Sequence, residues 1–191
     1  MLIGNPAVFA IESEITRAYD RSSSRALGFF VLHVQGRRFG IKSPEASMLA
    51  VPFDDVAARI LARGNHKVPC AEANATEVAE AVTRAIYLDH SKDETFFGMS
   101  DAQFKRAIFS NRVLWGPGLD ECFDDGSYLL HFDIREQVRI IAFSRPDAFI
   151  DPASVREVWL AAHEFYSILQ QWHNAFLAEW VSAAKIDPLD M

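Results

Sequence analysis

Residues 128–144 read YLLHFDIREQVRIIAFS. In the first half Leu130, Phe132 and Ile134 fall on one side and His131 and Asp133 on the other, the period of two that marks a strand. Residues 138–144, VRIIAFS, form a second short run rich in β-branched and aromatic side chains, and REQ connects the two. The pattern predicts an antiparallel hairpin.

Just upstream lies 115–127, WGPGLDECFDDGS, with Asp120, Glu121, Asp124 and Asp125 inside six positions and no Lys or Arg between Trp115 and Ile134. An EF-hand with Gly126 at its sixth position would need oxygen ligands where Phe123 and Phe132 stand, so that motif fails. A catalytic acid pair needs an environment that separates two carboxyl pKa values, and neighbours in a Gly-flanked loop rarely have one. A solvated turn before the strand ranks first, and a surface for a basic partner second.

Towards the N-terminus, 8–15 reads as a strand with Glu12 and Glu14 on its wet side. The apolar run 27–36, LGFFVLHVQG, reads as a central strand. Gln35-Gly36-Arg37 then suits either a tight turn into RRFGI or a plain loop. Residues 43–64 look helical in pieces, with Ser43-Pro44 as one start, 52–55 as another and Gly64 as the stop. Asn74 opens EVAEAVTRAIYL, Ser100-x-x-Gln103 resembles a capping box, and HSKDET at 90–95 is the best internal loop.

Downstream, Asp151 or Ser154 is placed to cap a helix with Pro152 near its first turn. From Val158 to Ala184 the only charges are Glu164 and Glu179. Val155, Trp159, Ala162, Tyr166, Leu169, His173, Phe176 and Trp180 recur at three and four, and Val158, Phe165, Ile168 and Trp172 form a stripe beside them. The expected element is a long apolar C-terminal helix of about 30 residues and roughly 45 Å, with a bend near 170–174. The fold class is α+β: mainly antiparallel sheet packed against helices, in a single domain over 1–191.

The totals narrow the function. Of 191 residues, half are hydrophobic, and 19 Lys+Arg against 26 Asp+Glu give a net charge of −7. Acidic charge disfavours direct nucleic-acid binding and favours a basic protein partner. Two distant cysteines, Cys70 and Cys122, suit a reducing compartment. Neither a signal peptide nor a membrane span is legible, so the expected location is cytoplasmic. His163-Glu164 opens like H-E-x-x-H, but Ser167 stands where the second histidine belongs. His131 and Asp133 share one side of a strand and could interact, though two exposed strand residues is the plainer reading. No nucleophile signature and no phosphate loop is present. No catalytic residue, metal or cofactor is expected.

Both ends of the chain carry a further pattern. Gly4-Asn5-Pro6-Ala7-Val8-Phe9-Ala10-Ile11-Glu12 precedes the aromatic Gly28-Phe29-Phe30 strand. Late in the chain come VRIIAF at 138–143 and EVWL…EFYSIL across 157–169. This resembles the immunity 42 family of bacterial polymorphic-toxin immunity proteins. The resemblance implies a cytoplasmic, non-enzymatic protein that binds and blocks a cognate toxin domain. It supplies no catalytic residues. Many toxin domains are basic nucleases, and under that reading Asp120, Glu121, Asp124 and Asp125 would meet the partner, with Trp115 and Phe123 as aromatic anchors. The alternative is a small-molecule-binding protein or enzyme with a pocket between sheet and helices. A homodimer through the C-terminal helix is compatible with either.

Overall fold

The computed structural model describes residues 1–88, 94–116, 121–147 and 149–186. In chain order the elements are β1 (Leu2–Asn5), β2 (Phe9–Ala18), β3 (Ala26–Val34), β4 (Arg37–Phe39), β5 (Ser47–Met48), α1 (Ala50–Leu61) and α2 (Ala75–Tyr87). There follow β6 (Thr95–Phe96), β7 (Met99–Ser100), α3 (Asp101–Ser110), β8 (Leu114–Trp115), β9 (Ser127–Ile134), β10 (Gln137–Ser144), β11 (Asp151–Ala161) and α4 (Ala162–Ser182). Strands β1-β2-β3-β4 lie side by side in one antiparallel sheet, with β5 also on β3. A second sheet runs β11-β10-β9-β8, and β6 and β7 form a small ribbon. The architecture is α+β. No described helix is long and apolar enough to cross a membrane.

The expected hairpin is β9–β10. Ile134 pairs with Gln137, so the turn is only Arg135-Glu136, and Gln137 already belongs to the strand. Arg135 takes φ 55, the left-handed region that two-residue turns require. The choice left open at Gln35-Gly36 is also resolved as a hairpin. Val34 pairs with Arg37 across those two residues, whose φ angles are 49 and 76. Glycine takes such a conformation without a Cβ penalty, and a pair of left-handed residues twists to match the strands.

Asn74 caps α2 by accepting from the amides of Thr76 and Glu77, and Ser100 with Gln103 forms the capping box of α3. The Ser43-Pro44 start is overturned. Residues 43–48 make a turn and β5, and α1 begins at Ala50. Of the expected loop at 90–95, residues 90–93 lie outside the described residues, and Thr95 belongs to β6.

The C-terminal helix begins later than its pattern suggested. Residues Asp151–Ala161 form β11, paired with β10 from Val138↔Leu160 to Ala142↔Arg156. Buried Ser154, Val158 and Leu160 sit at even positions, a period of two that the spacing of Val155, Trp159 and Ala162 masks. Without β11, the backbone of β10 would lack ladder partners on that side, so sheet pairing overrides the helical period. Ser154 is not a helix cap. Its hydroxyl accepts from the Ser144 amide at 2.8 Å, where the β10–β11 register shifts.

Helix α4 then runs 21 residues, about 32 Å, and continues unbroken through 170–174. It buries Ala162, Phe165, Tyr166, Leu169, Trp172 and Phe176. These face a core shared with the first sheet, α1 and one side of the second sheet, among them Phe9, Phe30, Leu129 and Ile140. The other side of the second sheet carries Leu130, Phe132, Ile141 and Phe143 into a core with α2 and α3. Strands β9 and β10 are therefore covered on both faces.

Candidate functional site

That double burial changes the meaning of the polar side of β9. His131 and Asp133 are buried, not wet, at 0% and 5% exposure. Tyr166, in the second turn of α4, donates its hydroxyl hydrogen to Asp133, with 2.8 Å to Oδ1 and 3.0 Å to Oδ2. Asp133 Oδ2 also accepts the amides of Gly64 at 2.7 Å and His66 at 3.1 Å. The Asp133 amide in turn donates to the His66 carbonyl at 2.8 Å. One carboxylate thus joins the segment after α1 to β9 and α4.

His131 Nε2 lies 3.2 Å from the Tyr166 hydroxyl oxygen and 3.6 Å from Asp133 Oδ1. With the tyrosine hydrogen committed to the carboxylate, its oxygen is left to accept from Nε2–H. His131 Nδ1 then holds a lone pair, and it is buried without a hydrogen-bond partner. Burial pushes His131 down to about 3 against the pull of Asp133, so the ring is neutral at pH 7. Burial alone would raise Asp133. The His131 contact and the hydrogen bonds from Tyr166 and the His66 amide outweigh that and hold it at about 2. Burial, reinforced by Asp133, pushes Tyr166 well above the usual phenol range.

His66, His131 and Asp133 offer donor atoms within 4.8 Å of one another. They do not fit a metal ion. His66 turns Nδ1 onto the Asn111 carbonyl at 2.8 Å and Nε2 onto the Arg59 carbonyl at 3.2 Å. Three hydrogens already occupy the Asp133 oxygens, so His131 Nδ1 and one remaining carboxylate lone pair are all that stand open, fewer than a metal ion takes. The cluster is a hydrogen-bonded tie between elements with His131 Nδ1 left over.

Arg59 is a second buried polar group, 1% exposed. Its Nε donates to Asp55 at 2.7 Å, Nη1 to the Arg112 carbonyl at 2.5 Å and Nη2 to the Leu114 carbonyl at 2.7 Å. The guanidinium lies 3.9 Å over the Trp115 ring, and the Phe30 ring is nearly parallel to Trp115 at 6.4 Å.

The acidic loop divides into two parts. Glu121, Asp124 and Asp125 are exposed, while Asp120 lies outside the described residues. Asp125 accepts from the Ser127 amide at 2.9 Å. No ion pair involves Glu121 or Asp124 among the described residues. The two aromatic residues are core: Trp115 is 4% exposed and Phe123 1%. Phe123 packs edge-on to Phe30, and the Cys122 carbonyl accepts from the Ile41 amide, which fastens the loop behind β4. As folded, neither aromatic side chain stands out as an anchor.

Trp115 and Phe123 nevertheless reach the inner wall of an open cleft of about 330 Å³ between α1, α3 and β8. Val51 and Phe109, nearly half exposed, line its outer part with Asp54 and Arg112. His131, Asp133 and Tyr166 do not line it, but Arg59, whose pKa burial lowers, does. The sequence reading missed the buried cluster because Arg59, His66, His131, Asp133 and Tyr166 lie up to about a hundred residues apart in the chain. Only the alternating His131–Asp133 pair hinted at it.

The family model described as Immunity protein 42 matches residues 1–175. A solved structure described as "Crystal structure of CdiI from Burkholderia dolosa AUO158" is similar with a TM-score of 0.53. It has 17% sequence identity, and the alignment covers 92% of this chain and 99% of that one. At that identity the likeness speaks to the fold. No curated protein sequence matches.

Proposed function

Given that this chain belongs to the Immunity protein 42 family, we propose that it binds a cognate bacterial toxin domain and neutralises it by direct contact, with no reaction of its own. The family match over residues 1–175 carries this reading, since it takes in both sheets and most of α4. Three observations support it. The fold is shared with a CdiI from Burkholderia dolosa. The net charge of −7 suits a basic partner such as a nuclease domain. The buried His131–Asp133–Tyr166 cluster, His131 Nδ1 apart, is engaged in hydrogen bonds that hold elements together.

The reading takes the chain as one domain, because the second sheet is common to both cores, and puts its action in the cytoplasm. Exposed Glu121, Asp124 and Asp125 are the acidic surface that steers the toxin domain, and Asp120, next in the chain, adds its charge to theirs. Trp115 and Phe123 serve that surface from beneath, by fixing the loop.

The test is co-expression in bacteria with the toxin C-terminal domain encoded beside this gene. Survival with a stable co-purifying complex is expected. Killing, with the immunity chain abundant and no complex formed, would refute the reading. Neutralising Asp120, Glu121, Asp124 and Asp125 together should weaken the complex. Unchanged binding would remove the loop from the interface.

A further inference from the structure

We infer that the end of α4 and the residues behind it, 180–186, form a latch that opens as one unit with the β2–β3 loop and the start of α1, while the rest of the two large sheets stays folded. The inference does not depend on the immunity reading.

The latch closes on the two ends of a loop. The Trp180 indole hydrogen is shared between the Arg25 carbonyl at 2.8 Å and the Tyr19 carbonyl at 3.0 Å. The Arg25 carbonyl also accepts the Tyr19 amide at 2.7 Å. Arg25 itself stands in the left-handed region at φ 51, a conformation that a residue with a Cβ keeps only when its surroundings hold it there. Behind α4 the chain turns extended at Ala183 and passes the end of β2. There Lys185 bridges to Ala18, and the Ile186 amide donates to the Ala18 carbonyl at 3.0 Å. Lys185 folds back to 4.9 Å from the centre of the Trp180 ring, and its ammonium donates to the Trp180 and Ala183 carbonyls. A cation in that position satisfies carbonyls that the end of a helix leaves open.

Arg25 carries the fastening further. Its guanidinium lies 4.4 Å over the Phe53 ring, meets Asp54 at 3.1 Å and donates to the Ala50 carbonyl at 3.5 Å. All three residues stand at the start of α1, and Asp54 lines the cleft beside α3 together with Val51. The latch therefore governs how firmly one wall of that cleft is held.

Little apolar area secures the latch. Val181 is 66% exposed and Ile186 41%, and only Trp180 packs, half-buried, on the first core. The remaining links are single hydrogen bonds and cation contacts. Units held in this way open at a lower free energy than strands covered on both faces, such as β9 and β10.

Amide hydrogen exchange of the full chain, followed by NMR at pH 7 in increasing urea below the unfolding transition, tests the latch. The amides of Tyr19, Phe53 and Ile186 should share one opening free energy and one shallow urea slope. Ile140 and Ile141 of β10 should exchange far more slowly, with the steep slope of global unfolding. Trp180→Phe keeps an aromatic ring and removes the shared donor, so the three latch amides should speed up together by about tenfold, the worth of one hydrogen bond. Lys185→Met, which spares Trp180, replaces that variant if it does not fold. Arg25→Met should uncouple α1, leaving Phe53 to exchange independently of Tyr19 and Ile186. Latch amides that exchange only with β10, or that differ from one another in the wild type, would overturn the single unit. Exchange unaltered by the variant at Trp180 or Lys185 would overturn the latch.

Discussion

Tyr166 of α4 donates its hydroxyl hydrogen to Asp133 of β9 across 2.8 Å, and both side chains are buried. Tyr166→Phe removes that donor and takes from His131 Nε2 its nearest acceptor. Two backbone amides still hold Asp133, so the chain should fold, destabilised by about 1–3 kcal/mol. Urea unfolding at pH 7 measures this. An unchanged midpoint would show that the hydroxyl contributes nothing net.

The same cluster sets an acid dependence. An unfolded histidine takes a proton near pH 6.5, whereas folded His131 resists until about 3. Between those values the unfolded state binds more protons, so stability falls as pH drops from about 6.5 towards 3. Asp133 acts in the same direction over a lower window. Its folded value of about 2 lies below the ordinary 3.8, so its contribution is present above 3.8 and lost as pH falls towards 2. Urea midpoints between pH 7.5 and 4 should decline for the wild type, and His131→Leu should flatten that decline. Parallel curves for the two proteins would rule out His131 as the source.

Arg59 should tolerate no replacement, conservative or otherwise. Its three donor positions satisfy Asp55 and the carbonyls of Arg112 and Leu114 at once. Arg59→Leu leaves a half-buried carboxylate and two carbonyls without these donors, a loss of about 3–5 kcal/mol. A lysine cannot present the planar fork, so Arg59→Lys should recover little of that. Thermal melts of the two variants check this. A lysine variant as stable as wild type would show that only the charge matters.

Phe123→Ala separates core from anchor. Phe123 is 1% exposed against Phe30, so truncation should cost about 3–5 kcal/mol even with no partner present. Differential scanning calorimetry of the isolated chain decides. A melting temperature equal to wild type would return Phe123 to the role of a surface anchor.

How much of this was legible in the chain depends on the distance over which each feature is decided. Capping at Asn74 and Ser100 could be read because a cap is settled within three residues. The β9–β10 hairpin was legible for the same reason, since a period of two on either side of a short polar turn is a local pattern. The family signature at 4–12 and 157–169 lies on strands and helix starts whose side chains are likewise fixed locally.

What lay beyond the sequence was anything settled by a partner element. Val155, Trp159 and Ala162 fit a helix and a strand equally well, and the open side of β10 chose the strand. His131 and Asp133 alternate as a wet strand face should, and they are dry because α4 brings Tyr166 over them while His66 arrives from the segment after α1. Trp115 and Phe123 sit among acids in the chain, yet Phe30 and Arg59 draw them inward. Propensity and period are properties of a few adjacent residues, so the sequence alone determined the β9–β10 hairpin, the caps at Asn74 and Ser100, the fold class and the family. Burial depends on what packs against a residue from elsewhere in the chain, so only the tertiary structure decided where the helix begins, which polar groups are dry and which residues line a cleft.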